Sequence, residues 1–291
     1  MKQTFDLVVV IPVGPGSSPL FLADNIDSIL HYVKGSCKII LADDSHQGLG
    51  KSAQENFPQL EIDLVPTPEP MGRVCGLYLT LAWAYKHAID NYHFSALLKF
   101  DTDALIIGNE PEKEAIEMFR THPEIGVAGQ YPFDYNGAPW DIGWPKQEIL
   151  KICTTISFIR KPIVHWALLT AWRKAVKNGY KTGESVFGGS CFYSEKALIA
   201  LDEAGRLPDT RLRTVNLEED HVFSILVMAA GFKFGDLSSD NLPFALTWRG
   251  LPDSPGELYR KGKKVIHSTR FWKDIKEDKI REFFKEKRAS E

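Results

Sequence analysis

Two aspartates, Asp101 and Asp103, stand two positions apart in the apolar stretch LLKFDTDALIIG, residues 97–108. The stretch suits a buried strand, whereas an unpartnered carboxylate is costly to bury. Because side chains alternate along a strand, residues two apart point to the same side. Hard cations such as Mg2+ and Mn2+ prefer carboxylate oxygens, and Mg2+ is commonly held by one or two carboxylates together with substrate phosphates. The pair therefore indicates either a metal site or an Asx turn that ends a strand.

Four other short motifs contain residues that suit chemistry, and each also has a plain structural interpretation. They are Asp44 in LADDS, the glycines of FGGSCFYS, the acids of LEEDH and His267 in VIHS. An acid after a strand is often a turn residue, and acids that begin a helix are common caps. A Gly-Gly pair is typical of a turn, and a lone histidine is often a satisfied, partly buried residue.

The elements that would position these residues alternate between strands and helices. Predicted strands lie at 7–13, within 37–45 where the strand ends in acids and enters a turn, at 61–66 and at 96–100, and predicted amphipathic helices cover 21–33 and 72–90. This alternation implies parallel strands joined by right-handed crossovers, in an α/β fold whose mostly parallel sheet is flanked by helices. Ligands bind such sheets at the carboxyl ends of the strands. We therefore expect Pro12–Gly14, Asp43-Asp44 and Asp101–Asp103 to converge on one crevice.

The second half of the chain is less regular. The sequence predicts a strand over 126–131, a helix that Ser194 caps and that ends before Gly205, and a helix over 218–231. Four tryptophans lie in the segment 132–187, and such a density is more typical of core than of binding. Trp140 and Trp144, beside Gly and Pro, are the candidates for a binding role. The charged tail from Phe271 is predicted to be a terminal helix packed on the domain, in preference to a membrane-surface helix.

Composition narrows the class of protein. The 291 residues are enough for one large domain or two small ones, and a net charge of −3 argues against nucleic acid as a main partner. The four cysteines have neither zinc-site spacing nor that of a disulfide framework, which favours a reducing compartment. No signal peptide or transmembrane segment is evident, so we expect a cytoplasmic protein.

Taken in order, VVVIPVG, LADDS, LLKFDTDALIIG, FGGSCFYS, LEEDH and VIHS resemble the motifs of nucleotide-sugar glycosyltransferases of the GT-A fold, especially family 2 and its inverting relatives. The resemblance runs from about residue 7 to about residue 270. It implies one GT-A (nucleotide-diphospho-sugar transferase, Rossmann-like) catalytic domain over 1–291. Residues 1–108 would form the nucleotide-binding half, 109–270 the acceptor and catalytic half, and 271–291 the charged helical tail.

The resemblance also implies roles for individual residues. In the metal site, Asp103 would be a direct ligand of Mn2+ or Mg2+, His267 a second ligand, and Asp101 would act through ribose or metal-bound water. At the reacting centre, Asp220 would be the catalytic base and Glu219 its partner in the motif. Around the donor, the implied contacts are Pro12, Val13 and Asp44 for the base, Arg73 for base or phosphate, Thr102 between the two aspartates, and Gly189 and Ser190 for the sugar. Arg73 has a competing interpretation as a solvated residue at a helix start.

The implied activity is metal-dependent, inverting transfer of one sugar from a nucleoside diphosphate donor, in the first place a UDP sugar, to a hydroxyl of a glycan, lipid-linked or protein acceptor. The Q-x-x-R-W motif and membrane spans of processive members are missing, so a nonprocessive, hexosyltransferase-like enzyme is implied, and peripheral membrane contact stays open. His46-Gln47-Gly48 after LADDS departs from the family pattern and leaves the base undetermined.

Three other classes compete with this interpretation. A nucleotidyltransferase would need cations in its first glycine-rich loop, and GPGSSPL has none. A haloacid-dehalogenase-like phosphatase would place its nucleophilic aspartate at the end of the first strand, where Pro12 and Val13 stand. A noncatalytic nucleotide- or sugar-binding relic of the fold predicts loss of the base or metal acids, yet Asp101, Asp103 and Asp220 are present.

Overall fold

The computed structural model describes residues 2–72, 74–154, 157–239 and 241–291. In chain order its elements are β1 (Gln3–Val13), α1 (Pro19–Tyr32), β2 (Cys37–Asp43), α2 (Leu49–Asn56), β3 (Asp63–Pro66), α3 (Cys75–Asn91), β4 (Tyr92–Phe100), β5 (Ala104–Ile106), α4 (Lys113–Thr121), β6 (Ile125–Gly129), α5 (Gly143–Thr154), α6 (Ser157–Arg160), α7 (Pro162–Lys177), β7 (Ser190–Tyr193), α8 (Glu195–Glu203), a 3-10 turn (Thr210–Leu212), α9 (Glu219–Ala229), β8 (Lys233–Asp236), β9 (Phe244–Leu246), α10 (Pro255–Arg260), β10 (Val265–His267), β11 (Phe271–Trp272), β12 (Ile275–Lys276) and α11 (Glu277–Ser290).

One mixed sheet organises the fold, with the strand order β3-β2-β1-β4-β7-β6-β8. The pairs β1–β2, β2–β3, β1–β4 and β6–β8 are parallel. Strand β7 runs antiparallel to both β4 and β6. The mostly parallel α/β architecture predicted from the sequence is confirmed, and strands from both halves of the chain share one sheet.

From Leu7 onwards, strand β1 is continuously apolar because both of its faces are covered. Val8 and Val10 belong to a core with α3, α7 and α9 on one face. Leu7, Val9 and Ile11 belong to a core with α1 and α2 on the other. All five side chains are fully buried. A strand covered on both faces has no need of polar alternation, which explains its continuous apolar sequence.

A second, smaller sheet of order β5-β10-β9 lies beyond the end of β4. Strand β10 pairs antiparallel with β5, with His267 opposite Ala104, and parallel with β9. Helix α11 packs on this sheet through Ile280 and Phe284. The stretch LLKFDTDALIIG therefore contains the end of one strand, a turn and a strand of another sheet.

The predicted strands in the first half, the strand near 126–131, and the helices near 72–90, 195–203 and 218–231 all appear, and Ser194 Oγ accepts a hydrogen bond from Ala197 N as the cap of α8. The short strands β5 and β8 to β12 were not predicted, because two to four residues give too little periodicity. Within the described ranges, no helix combines the length and apolar character needed to cross a bilayer.

Candidate active site

An open cleft of about 510 Å³ lies at the carboxyl ends of β1, β2 and β4. Pro12 and Val13, Asp44, and Asp101 to Asp103 all line it, as the sheet rule predicts. Its opposite side is formed by Gly188 and Gly189, by the start of α9, and by the segment that follows β10. The cleft therefore joins residues from both halves of the chain.

The two aspartates converge through a turn and not through strand alternation. Strand β4 ends at Phe100, and the N–H of Ala104 donates to the carbonyl of Asp101 at 3.0 Å. The expectation that both carboxylates extend one strand is wrong, although they do face the same cleft. A turn that reverses the chain between two sheets gives the same convergence.

The main chain of this Asp-Thr-Asp turn is held by donors from distant segments. Asn25 Nδ2 donates to the carbonyl of Asp101 at 3.0 Å. Arg281 Nη2 donates to the carbonyl of Thr102 at 2.7 Å. Thr269 donates to the carbonyl of Asp103 from its N–H at 2.8 Å and from its hydroxyl at 2.9 Å. Each of the three carbonyls therefore has a partner, and the turn is fixed before any ligand binds.

His267 faces Asp103 with the nitrogen that suits a metal. Its Nδ1 lies 2.7 Å from the carbonyl oxygen of Thr247, which accepts only if Nδ1 has the proton. In the neutral ring Nε2 then keeps its lone pair, and it lies 3.2 Å from Asp103 Oδ1 and 4.0 Å from Asp101 Oδ2. Backbone bonding of one ring nitrogen is how proteins orient a ligating histidine.

Asp103 also receives two donors on its other oxygen. Arg270 Nε lies 2.8 Å from Oδ2, and Ser268 Oγ donates to the same atom at 2.9 Å. Burial raises the pKa of Asp103, but the hydrogen bonds and positive charges of His267, Arg270 and Ser268 outweigh it and hold the pKa well below its usual range. Asp103 is therefore an ionised carboxylate at any physiological pH.

Lys99 is a buried cation at the centre of the site. Its side chain is 2% exposed, and Nζ lies 2.6 Å from Asp101 Oδ1 and 3.2 Å from Glu219 Oε1. Nζ also donates to the carbonyl of Gly188. Burial lowers the pKa of Lys99, but the charges of Asp101 and Glu219 outweigh it and the net shift is upward. Lys99 thus links the Asp-Thr-Asp turn to the first turn of α9 through ion pairs with Asp101 and Glu219.

Glu219 and Asp220 occupy the first turn of α9 but have different surroundings. Glu219 is bonded to Lys99, and burial raises its pKa to about 7, with Lys99 opposing the shift and Asp220 and Asp101 adding to it. Asp220 lines the cleft, and its Oδ1 accepts a hydrogen bond from the N–H of His221 at 2.7 Å. Both carboxylates line the cleft, and Glu219 is the one that is held in an ion pair with Lys99.

The glycine pair lets the two halves of the site approach each other. A Cβ at Gly189 would lie 2.6 Å from ring atoms of His267. A Cβ at Gly188 would lie 2.8 Å from Glu219 Oε1 and 2.9 Å from Asp220 Cβ. Since adjacent Cα atoms are about 3.8 Å apart, the histidine and the first turn of α9 pack against neighbouring residues of one loop.

Three other residues were predicted to contact the nucleotide-sugar donor. The Asp44 carboxylate accepts hydrogen bonds from Thr67 Oγ1 at 2.6 Å, Met71 N at 2.8 Å and Gly72 N at 3.0 Å, so it holds the segment 67–72 at the cleft edge. Ser190 is fully buried in β7, and its hydroxyl donates to the carbonyl of Lys99 at 3.1 Å. Arg73 lies outside the described residues.

Aromatic side chains surround the open part of the cleft. Phe187 lies between two of them, stacked on Trp140 at 5.1 Å and edge-on to His267 at 5.5 Å between ring centroids. Trp144 is 46% exposed, and its ring lies 6.1 Å from that of His221. Trp248, which the sequence did not single out, is 61% exposed and lines the cleft. Trp140 therefore packs behind Phe187, whereas Trp144 and Trp248 are exposed, with the Arg249 guanidinium over the Trp248 ring at 4.3 Å from its centroid.

The donor set at Asp101, Asp103 and His267 fits a divalent cation. One ligand atom from each of the three lies within 4.8 Å of the others. Two carboxylates and one imidazole suit Mn2+, and Mg2+ accepts the carboxylates more readily than the nitrogen. The separation of 3.2 Å between His267 Nε2 and Asp103 Oδ1 matches that of neighbouring ligands on an ion about 2.1 Å from each.

Sequence reasoning missed the cations of this site. Lys99 stands two residues before Asp101 within an apolar strand, and a charge there was a signal, because lysine is almost never fully buried unless it is paired. Arg270 and Arg281 gave no local signal, since both lie in a tail dense in charges of both signs. Only the fold brings them to the Asp-Thr-Asp turn.

No protein-family model matches the chain, and no curated protein matches it. Among solved structures, the chain is similar to TarS 1-349 from S. aureus (TM-score 0.50, 12% identity, covering 92% of this chain and 61% of that one). It is similar to the apo structure of the bifunctional glycosyltransferase WbbM (TM-score 0.51, 9% identity, covering 99% and 50%). A weaker likeness is to the mannosyltransferase PcManGT from Pyrobaculum calidifontis in complex with GDP-Man and Mn2+ (TM-score 0.46, 13% identity, covering 80% and 55%).

These likenesses show the fold, which is that of the GT-A glycosyltransferases, and they confirm the predicted fold class. The chain spans between half and about three fifths of the length of these three proteins.

Proposed function

We propose that the protein is a metal-dependent, inverting, family 2-like glycosyltransferase that transfers one sugar from a nucleoside diphosphate donor to an acceptor hydroxyl. The observation that supports this is the convergence of Asp101, Asp103, His267 and Asp220 on one cleft at the carboxyl ends of the strands of a GT-A fold. A UDP sugar is the first donor to test, and the chain resembles hexosyltransferases in its motifs.

The donor would lie along the sheet edge. Pro12 and Val13 would line the base pocket beside Asp44, whose bonds to the segment 67–72 hold that wall in place. Asp103, Asp101 and His267 would hold Mn2+ or Mg2+ next to the diphosphate, and Arg270 would add a positive charge at the same point. When bound, the ion supplies compensation for the negative charge on the leaving diphosphate.

Asp220 would be the catalytic base. Inverting transfer forms a bond from the acceptor oxygen to the anomeric carbon while the bond from that carbon to the diphosphate oxygen breaks. The acceptor proton goes to a carboxylate on the side opposite the diphosphate. Asp220 faces the cleft, and Glu219 is bonded to Lys99, so Glu219 would position the first turn of α9 and Asp220 would accept the proton.

The acceptor would enter beside the exposed aromatic rings. Trp144 near the first turn of α9 is exposed, and so is Trp248 on the lining of the cleft, where Arg249 covers one face of the Trp248 ring and leaves the other for a ligand. Such faces suit the C–H surface of a sugar ring, so a glycan or glycolipid acceptor fits this part of the cleft.

A thermal-shift panel tests the proposal. UDP, GDP and their sugars are added with and without Mn2+, and a ligand at 100 times its Kd should stabilise the protein by about 2.7 kcal/mol. We expect a shift that needs the metal and that Asp103→Asn removes, while the exposed control Asp90→Asn keeps it. Absence of any metal-dependent nucleotide shift would contradict the proposal and favour a noncatalytic protein. A nucleoside triphosphate shift larger than that of any diphosphate sugar would favour a nucleotidyltransferase.

A further inference from the structure

Helices α6 and α7 present an exposed surface that is apolar at one end and cationic at the other. Phe158, Ile159, Ile163 and Trp166 are 50%, 68%, 65% and 59% exposed. Four large apolar side chains so exposed within nine consecutive positions form a patch, whereas single exposed apolar residues need no explanation. We call these four residues the apolar patch.

The cations of this surface lie on the same face of α7 as Ile163 and Trp166. At about 100° per residue, Ile163, Trp166, Thr170, Arg173, Lys174 and Lys177 fall within one face of the helix, and all six are exposed. The opposite face is buried through residues such as Leu168 and Ala175. Among the described residues, nothing covers this exposed stripe, which has two apolar residues first and three cations after them.

Acidic residues are missing from this part of the sequence. From Ile149 to Gly183 there are seven Lys and Arg and no Asp or Glu, although about one residue in eight is acidic in the chain as a whole. The surface therefore has a positive potential that the net charge of −3 conceals. Its complement is a negatively charged surface.

A shallow pocket beside Trp166 adds two guanidinium groups to the patch. The pocket has a volume of about 410 Å³ and is lined by Ile163, Trp166, Arg206 and Arg211 among others. Arg206 Nη1 and Arg211 Nε lie 2.6 and 2.7 Å from oxygens of the same carboxylate, that of Asp209. Two guanidinium groups and one carboxylate leave one positive charge in excess beside the apolar side chains of the pocket. This combination suits a lipid with an anionic headgroup and an acyl chain.

We propose that α6 and α7 bind the surface of a bilayer that contains anionic phospholipid. The apolar patch would enter the interface, and Arg160, Lys161 and the three cations of α7 would lie among the headgroups. Amphipathic helices of this composition lie in the plane of the interface, held by apolar burial and by attraction to anionic lipid. The proposal does not depend on the proposed function, because binding to lipid needs neither donor nor acceptor.

Vesicle flotation with the full chain tests the proposal. The probe is phosphatidylcholine vesicles with about one quarter phosphatidylglycerol, compared with pure phosphatidylcholine. We expect binding to the anionic vesicles alone, weakened at about 0.5 M salt. Replacing Arg173, Lys174 and Lys177 by Gln should weaken it by about fivefold for each charge removed. The double substitution Ile163→Ser and Trp166→Ser should weaken it by at least about tenfold.

Matched controls lie elsewhere on the surface. Leu20 on α1 is 79% exposed, and the side chains of Lys51 and Lys113 are 74% and 68% exposed. Leu20→Ser and the pair Lys51→Gln and Lys113→Gln should leave flotation unchanged. All substituted positions are exposed, so circular dichroism melts should match the native protein.

Three results would overturn the proposal. One is the absence of flotation with anionic vesicles, and another is equal flotation with neutral ones. The third is a concentration-dependent dimer in sedimentation that Ile163→Ser and Trp166→Ser abolish without affecting flotation, which would assign the surface to a second copy of the chain.

Discussion

Arg281 Nη2 donates a 2.7 Å hydrogen bond to the carbonyl oxygen of Thr102, the residue between the two proposed metal ligands. Arg281 lies on α11 and is itself fixed by Asp24 and Asn25 of α1, at 2.9 and 2.8 Å from Nη1, and by Glu277, at 2.9 Å from Nε. The tail, predicted to be a terminal helix packed on the domain, is therefore attached to the Asp-Thr-Asp turn.

Substituting Arg281 should weaken metal binding although the side chain touches no ligand atom of the site. Arg281→Lys keeps the charge but loses the planar fork that reaches Asp24, Asn25 and Thr102 together. We expect Mn2+ affinity, measured from the EPR signal of free Mn2+, to fall by about tenfold. Arg260→Lys, whose side chain is 69% exposed, is the matched control. A folded Arg281→Lys protein with native Mn2+ affinity would show that the turn does not need this bond.

Lys99→Met should destabilise the protein because it leaves two buried carboxylates, those of Asp101 and Glu219, without their cation. Loss of one partner of a buried ion pair costs about 3–5 kcal/mol, which urea unfolding can measure. Adding Glu219→Gln to Lys99→Met removes one uncompensated charge. The double variant should therefore lose less free energy of unfolding than the sum of the losses of the two single variants. Strict additivity would mean that Lys99 and Glu219 do not interact.

Asp220→Asn should abolish sugar transfer while leaving donor binding nearly intact. The substitution keeps the shape of the side chain but removes the group that would take the proton, and such groups contribute roughly 10²- to 10⁴-fold to rates. Turnover of the donor identified by thermal shift is the measurement. Unchanged turnover would exclude Asp220 as the base, and Glu219, bonded to Lys99, would then need the same test.

Gly189→Ala should displace His267. The new methyl group would lie 2.6 Å from the imidazole, which is held by Thr247 and cannot tilt without losing that bond. We expect a loss of about 1–3 kcal/mol in unfolding free energy and a drop in Mn2+ affinity. Gly256→Ala is the control, since nothing lies within 4 Å of its Cβ, and a gain of about 0.4–1 kcal/mol is expected there. Equal changes in unfolding free energy and Mn2+ affinity for the two variants would mean that the close contact between Gly189 and His267 does not affect either quantity.

Asp63 should make stability depend on pH. Burial raises its pKa, but hydrogen bonds from Lys38, Tyr92 and His87 outweigh it and the net shift is downward. A lowered folded pKa gives stability that is present above the unfolded value of 3.8 and is lost as the pH falls through the folded value. Asp63→Asn should cost about 2 kcal/mol at pH 7 and progressively less below pH 4 in urea unfolding. Asp90→Asn, at an exposed pair, should cost less than about 0.5 kcal/mol at every pH.

The sequence predicted those parts of the site that follow from the sheet. Strand ends are visible as apolar runs that stop at polar residues, so Pro12, Asp44 and Asp101 could be assigned to one edge. The side chains that hold the turn could not, because Asn25, Thr269 and Arg281 lie in three segments whose meeting depends on a second sheet of three-residue strands. The contact of Ser190 with the sugar stays a prediction, since the same sequence fits a loop end and a buried strand start, and Ser190 begins the buried strand β7.

The bond between Arg281 and Thr102 spans 179 positions, which sets an order of events during synthesis. At about 5–20 residues per second, Thr102 leaves the ribosome's catalytic centre roughly 10–35 s before Arg281 is added. Strands β1 to β4 can pair in that interval, whereas the carbonyls of the Asp-Thr-Asp turn still lack the donors from Thr269 and Arg281. A nascent chain can thus form much of the sheet but acquires its complete Asp-Thr-Asp turn only after Arg281 has been added.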